Sequence, residues 1–193
     1  EAVVSVAARN DAPIANDATS ATDEETDVTV DLLANDTDPD GDALEVISAT
    51  VPADQGTLVD NGDGTVTFTP AADFTGQAVI SYEISDNNGG TDTGQHFINV
   101  GDVNDAPDAV NDVATGTEDG PTIVIDALDN DSDVEGDTLV ITGATVPLEQ
   151  GVVAVVGNKL EFTPAEDFNG LATISYSISD GNGGTDTAVV EVD

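Results

Sequence analysis

Residues 80–93 read ISYEISDNNGGTDT, and residues 174–187 read ISYSISDGNGGTDT. In both stretches the apolar side chains hold alternate positions: Ile80, Tyr82 and Ile84 in one, Ile174, Tyr176 and Ile178 in the other. That period of two is the mark of a strand with one face turned to a core. Each run then breaks into Ser, Asp, Asn and Gly, residues that close tight turns and tolerate positive φ, before β-branched Thr resumes. The reading is a strand, a turn and a returning strand, written twice.

The duplication extends outward from there. NDAP stands at 10–13 and 104–107, and LLANDTDPDGDALEV (32–46) is answered by ALDNDSDVEGDTLVI (127–141). SATVPADQG (48–56) is matched by GATVPLEQG (143–151), and FTPAADFTG (68–76) by FTPAEDFNG (162–170). Such a fixed order of repeated motifs means two homologous modules, 10–103 and 104–193. Residues 1–9 (EAVVSVAAR) fit the place of a last strand before NDAP and are expected to be the trailing strand of an upstream module or a leader. VTVDL, LEVIS, GTLVD, TVTFT, AVISYEIS and QHFINV alternate within the first module, with turn residues between them. No stretch keeps helical spacing. The expected fold is all-β: two tandem Greek-key β-sandwiches of about seven strands each. One face of each strand supplies the expected core. In the first module it is Val28, Val30, Leu44, Val46, Val66, Phe68, Ile80, Tyr82 and Ile84; in the second, Ile123, Ile125, Leu139, Ile141, Leu160, Phe162, Ile174, Tyr176 and Ile178.

Composition narrows the function. Against 40 acidic residues the 193-residue chain sets two basic ones, Arg9 and Lys159, for a formal net charge of −38. Nucleic acid and anionic membrane surfaces are therefore poor partners, and the compact state repels itself unless cations screen or bind it. No apolar run is long enough for direct membrane insertion. Cysteine is absent, which removes disulfides and thiolate metal sites. The single histidine, His96, has no counterpart in the second module and reads as an edge-strand surface residue. An enzyme is not expected: no nucleophile–base pair and no phosphate-cradling loop stands out. Carboxylate pairs are plentiful, as in glycosidases, but they fall in turns with few aromatics to line a sugar cleft.

The acidic residues concentrate in loops rather than on strands. Each module has an early turn (DEE 23–25; ED 118–119), a dense loop (NDTDPDGD 35–42; NDSDVEGD 130–137) and a late turn (SDNNGGTD 85–92; SDGNGGTD 179–186). The join adds Asp102, Asn104 and Asp105. Asp-x-Asp spacing in a tight loop can turn alternate carboxylates toward one point, and hard oxygen donors without His or Cys favour Ca²⁺. The start of an EF-hand loop looks similar, but strands flank these loops, so that reading fails. Solvated acidic turns are the plain alternative. An intramodule site closed by Asp40, Asp42 and Glu135 is a further one.

ANDTDPDGDALEV resembles the cadherin segment A-x-D-x-D-x-G-x-N-A-x-L, and ISDNNGGTDT…INVGDVNDAP resembles the cadherin run from its late Asp to the linker. The whole pattern is similar to the bacterial tandem cadherin-like/Ig-like repeat of large secreted adhesins, including the RTX type. By position, the resemblance implies a Ca²⁺ junction. Glu24 would come from the first module, Asp102, Asn104 and Asp105 from the linker, and Asp131, Asp133 and Asp180 from the second, with Asp137 where cadherins often have Asn. A matching half-site would comprise Asn10, Asp11, Asp36, Asp38, Asp42 and Asp86. Ala8 stands there in place of Asp102. The implied role is a calcium-rigidified extender or scaffold supporting cell adhesion, extracellular or on the bacterial surface. Its partners would be Ca²⁺ and neighbouring modules of the same chain, and the chain itself a monomer. The other reading is that one module binds a glycan or protein ligand directly. Homophilic strand exchange would need an exposed edge and a docking aromatic.

Overall fold

The computed structural model describes residues 9–193, so the expected trailing strand at 1–9 lies, save for Arg9, outside the described residues. Two compact units divide at Val103/Asn104. Among the described residues there is no helix, and each unit holds seven strands.

The first unit contains β1 (Ala18–Asp23), β2 (Val28–Asp31), β3 (Glu45–Thr50), β4 (Gly56–Asp60), β5 (Thr65–Pro70), β6 (Gly76–Ser85) and β7 (Thr91–Gly101). One sheet has the order β1-β7-β6-β3 and the other β2-β5-β4. The second unit repeats this with β8 (Asp112–Ala114), β9 (Ile123–Ile125), β10 (Val140–Thr145), β11 (Gly151–Val156), β12 (Lys159–Pro164), β13 (Ala172–Ser179) and β14 (Thr185–Val192). Its sheets run β10-β13-β14-β8 and β11-β12-β9. These are two β-sandwiches, each from strands that bury alternate residues.

Every residue expected in the core is buried or packed against it. Val30, Val66, Phe68, Ile80, Tyr82 and Ile84 form the first core, with Val28, Leu44 and Val46 around them. Ile125, Ile141, Leu160, Phe162, Ile174, Tyr176 and Ile178 form the second, flanked by Ile123 and Leu139. With no Trp and few aromatics, one phenylalanine per sandwich fills much of the centre, Phe68 or Phe162. The backbone makes room for it: a Cβ on Gly56 would lie 2.6 Å from the Phe68 ring, and one on Gly151 the same distance from Phe162.

His96 corrects the reading from sequence. It is 6% exposed and sits in β7, which is flanked on both sides, by β6 and by parallel β1. The reason is β1 itself (ATSATD), too polar to announce a strand, which covers what would otherwise be the edge. Nε2 of His96 lies 2.9 Å from Ser20 Oγ, and Nδ1 is buried without a partner. In the second unit the same register brings Val190 and Ala114 to these places.

Candidate metal-binding poles

At one end of each sandwich the linker segment, the dense loop and the late turn meet. In the first unit, Ile14 and Thr37 exchange backbone hydrogen bonds of 2.8 and 3.1 Å, tying the stretch after NDAP to the dense loop. In the second, Asp108 and Ser132 do the same at 2.8 and 3.1 Å. Beneath them a tyrosine braces the corner. The Tyr176 hydroxyl lies 3.0 Å from the Ala127 carbonyl oxygen and 3.1 Å from both the Val110 carbonyl and Asp112 Oδ2. Tyr82 similarly reaches the Asn16 carbonyl at 3.1 Å and Asp36 Oδ1 at 3.2 Å. Burial pushes both hydroxyls' pKa up, and nearby carboxylates push them further.

The late-turn aspartates are clasps. Asp180 is 4% exposed; its Oδ1 accepts the Asn182, Gly183 and Gly184 N–H groups at 2.8, 3.0 and 3.0 Å. Its Oδ2 accepts from Asn104 Nδ2 at 2.7 Å and from Gly184 N–H at 2.9 Å. Asp86 repeats the arrangement, taking Asn88 and Gly90 N–H on Oδ1 (2.7 and 2.9 Å) and Asn10 Nδ2 on Oδ2 (2.6 Å). The Asn10 and Asn104 bonds, ahead of the backbone donors, hold both carboxyls below the usual range. The glycines of the opening motif now have a reason. A Cβ on Gly184 would meet Asp180 Oδ2 and sit 2.8 Å from Ala106 Cα, and one on Gly90 would meet Asp86 and sit 2.8 Å from Ala12 Cα.

The dense loops carry the open acceptors. One carboxylate oxygen each from Asp38, Asp40 and Asp42 lies within 4.8 Å of the others, and Asp133, Glu135 and Asp137 form the same group in the second unit. In each loop one carboxylate folds the backbone: Asp38 Oδ1 accepts from Asp40 and Asp42 N–H at 2.8 and 3.1 Å, and Asp133 Oδ1 from Asp137 N–H at 3.0 Å. The other oxygens, Asp38 Oδ2, Asp133 Oδ2 and Glu135 Oε2, are buried with no hydrogen-bond partner, as is Asp36 Oδ2. Burial raises the pKa of Glu135, Asp36 and Asp131. A buried, unpaired carboxylate oxygen is expensive unless a cation compensates it. Of the two basic side chains, Lys159 pairs with Asp126, which is not one of these carboxylates, and Arg9 is exposed.

The expected ligands thus divide into three sets. Asn10, Asp11, Asp36, Asp38, Asp42 and Asp86 come together at the pole of the first unit, where Asp11 N–H donates to Asp40 Oδ2 at 2.7 Å and Asn88 Nδ2 to Asp42 Oδ2 at 2.8 Å. Asn104, Asp105, Asp131, Asp133, Asp137 and Asp180 belong to the pole of the second, with Asn182 Nδ2 donating to Asp137 Oδ2 at 2.6 Å. Glu24 and Asp102 lie at the far end of the first unit, with carboxylate oxygens within 4.8 Å of each other. There Glu24 Oε1 also accepts the Val103 N–H at 2.8 Å. Sequence reasoning overlooked Asp92 and Asp186, whose Oδ2 atoms accept the Ala15 and Ala109 N–H groups at 2.9 Å and pin the linker to the sandwich. The repeated GGTDT was the available signal.

Residues 9–101 match the sequence profile of the cadherin-like domain, and residues 104–193 that of the bacterial Ig domain. Among solved structures, the chain resembles Drosophila N-cadherin EC1-4 at 15% identity and TM-score 0.54, over 95% of this chain and 49% of that one. Mouse cadherin-23 EC22-24 matches at 19% identity and TM-score 0.53, over 94% and 64%. An endo-fucoidan hydrolase of glycoside hydrolase family 107, MfFcnA4, matches at 22% identity and TM-score 0.42, over 94% of this chain and 28% of the other. The chain spans 49% and 64% of the two cadherin structures and 28% of the hydrolase, and its likeness to the cadherins is one of fold. No curated protein matches it. Cadherin-like and Ig-like domains fit an adhesion or extender module and are typically non-enzymatic. No helix among the described residues is long and apolar enough to cross a membrane. The first half of the chain thus matches a cadherin-like domain and the second a bacterial Ig domain, each on one of the two tandem sandwiches.

Proposed function

We propose that these modules are calcium-rigidified spacers of a secreted or surface-attached bacterial adhesin, stiffened where module meets module. The observation that carries this reading is the set of buried, partnerless carboxylate oxygens on Asp38, Asp133 and Glu135, in a chain with two basic residues. The donor set is all hard oxygen, which suits Ca²⁺ and its six to eight ligands.

At the join, Glu24 and Asp102 would serve from the first module, with Asn104 and Asp105 from the linker. Asp133 and Asp137 would serve from the second, joined by Glu135. Asp131 and Asp180 complete the set by resemblance, although their oxygens already accept hydrogen bonds that coordination would displace. Asn10, Asp11, Asp36, Asp38, Asp42 and Asp86 form the equivalent half-site for a module upstream. Without a cation the clustered carboxylates repel and the modules swivel; a bound Ca²⁺ neutralises them, so bending must break ligand bonds. Extracellular modules of this kind bind at roughly 10⁻⁴ to 10⁻³ M, which suits a calcium-rich exterior and the role of holding an adhesive tip away from the cell.

Calorimetric titration with Ca²⁺ tests the assignment. The double variant Asp102→Ala/Asp133→Ala is expected to lose cooperative binding while both sandwiches stay folded. Unchanged binding by that variant would move the ions elsewhere.

A further inference from the structure

The two modules differ most along one side. From Thr138 to Asn158 the second module carries a single charged residue, Glu149, whereas the matching residues 43–63 of the first carry Glu45, Asp54, Asp60 and Asp63. Apolar side chains take the vacated places and stay in solvent. Leu148 is 85% exposed where the first module has Ala53, and Val152 is 59% exposed where it has Thr57. Val155 and Val156, also exposed, replace Asp60 and Asn61.

Most of this strip is β11, GVVAVV, the edge strand of β11-β12-β9. β11 pairs with β12 on one side, and among the described residues no other hydrogen bond engages the backbone of 152–156. Proteins usually guard such an edge with a charge, a proline or a bulge. The first module does so with Asp60 at the end of β4; β11 has none of the three.

We propose that the free edge of β11 pairs with β11 of a second copy of this chain, antiparallel, about a two-fold axis at Ala154. Two features select that occupant. Residues 152–156 (VVAVV) form a palindrome, so two-fold pairing sets Val152 against Val156, Val153 against Val155 and Ala154 against itself, apolar on apolar throughout. A chain of charge −38 also repels its own copies wherever carboxylates would meet, and this uncharged edge is where two can approach. In place of the monomer expected from sequence, the chain associates weakly, because one short strand pair buries far less than a standard interface.

Sedimentation equilibrium from micromolar to millimolar protein, with salt raised to screen the charge, tests this on the whole chain. The mass is expected to climb from one chain toward two and stop there. Val152→Thr/Val155→Asp, which installs residues the first module already tolerates at these positions, should hold it at one. Because the chain has no cysteine, Ala154→Cys gives a second reading. It should form a disulfide-linked dimer on mild oxidation, and Val59→Cys, its counterpart in β4, should not. A single-chain mass throughout, growth past two copies, association indifferent to the double variant, or equal cross-linking at both cysteines would overturn the proposal.

Discussion

Asn104 in the linker donates a 2.7 Å hydrogen bond to buried Asp180, 76 residues away, and Asn10 makes the same bond to Asp86 at 2.6 Å, again 76 residues away. Each sandwich thereby holds the segment that leads into it. Force along the chain reaches the domain through this bond to the late turn together with the Ile14–Thr37 or Asp108–Ser132 backbone pair. The glycine beside that turn is fixed by the same contact, since only a residue without Cβ lets the linker pass so close.

Gly184→Ala is therefore expected to force the linker off Asp180. The second module should lose about 2 kcal/mol, the cost of disrupting hydrogen bonds to a buried charged group. Urea unfolding should show a lower midpoint for that module alone. Asp180→Asn, which keeps the shape but turns one acceptor oxygen into an NH2 facing N–H donors, should destabilise the same module.

The corner tyrosines give a second test. Removing the hydroxyl by Tyr176→Phe takes away the single O–H donor that the Ala127 and Val110 carbonyls and the Asp131 carboxylate surround. A loss of about 1–2 kcal/mol is expected, read by thermal or urea unfolding. Tyr82→Phe should do the same to the first module, so the two variants should shift different transitions.

His96 makes the first module sensitive to acid. Burial lowers its pKa in the folded state, so the unfolded chain takes up the proton first. Stability is full above about pH 6.5, the ordinary histidine value, and is lost as pH falls from there through the depressed folded pKa. Each unit of depression corresponds to about 1.4 kcal/mol. Ser20→Ala/His96→Val, which copies the Ala114–Val190 pair of the second module, should abolish this part of the pH dependence. The difference between wild type and variant across pH 7 to about 5, followed by urea unfolding, isolates it from the carboxylates.

The tight glycine at the start of β4 and β11 has a sharper consequence. Gly56 and Gly151 have φ of 153° and 154°, and a Cβ on either would meet the Thr69 or Thr163 carbonyl as well as the phenylalanine ring. Gly56→Ala should destabilise the first module by about 2–3 kcal/mol, in the range of overpacked cores. Calorimetry should show one transition moved and the other in place.

Much of this was legible in the sequence. Alternation of Ile80, Tyr82 and Ile84, and of their copies, identifies the central strands, because a half-buried strand must alternate. The turns declare themselves through NNGG and GNGG. What was not legible depends on partners far along the chain. β1 is polar and β8 only three residues long, and they become strands because β7 and β14 offer them a parallel edge; without them His96 reads as an edge residue. The dense loops were visible as acidic, but which oxygens lack a donor follows from how Asp38 and Asp133 spend one oxygen on their own loop backbone. No spacing rule displays that. The exposed edge of β11 was readable only by comparing its residues with those of β4 at equal register.

The central claim is that cations stiffen the joint around Asp102, Asn104 and Asp105. Small-angle X-ray scattering of this chain in millimolar Ca²⁺ and again in chelator, at constant ionic strength and at protein concentrations low enough to keep copies apart, measures it directly. The account predicts a larger maximum dimension and a more rigid scattering profile with Ca²⁺. Superimposable curves would contradict it and leave the carboxylates as surface charge.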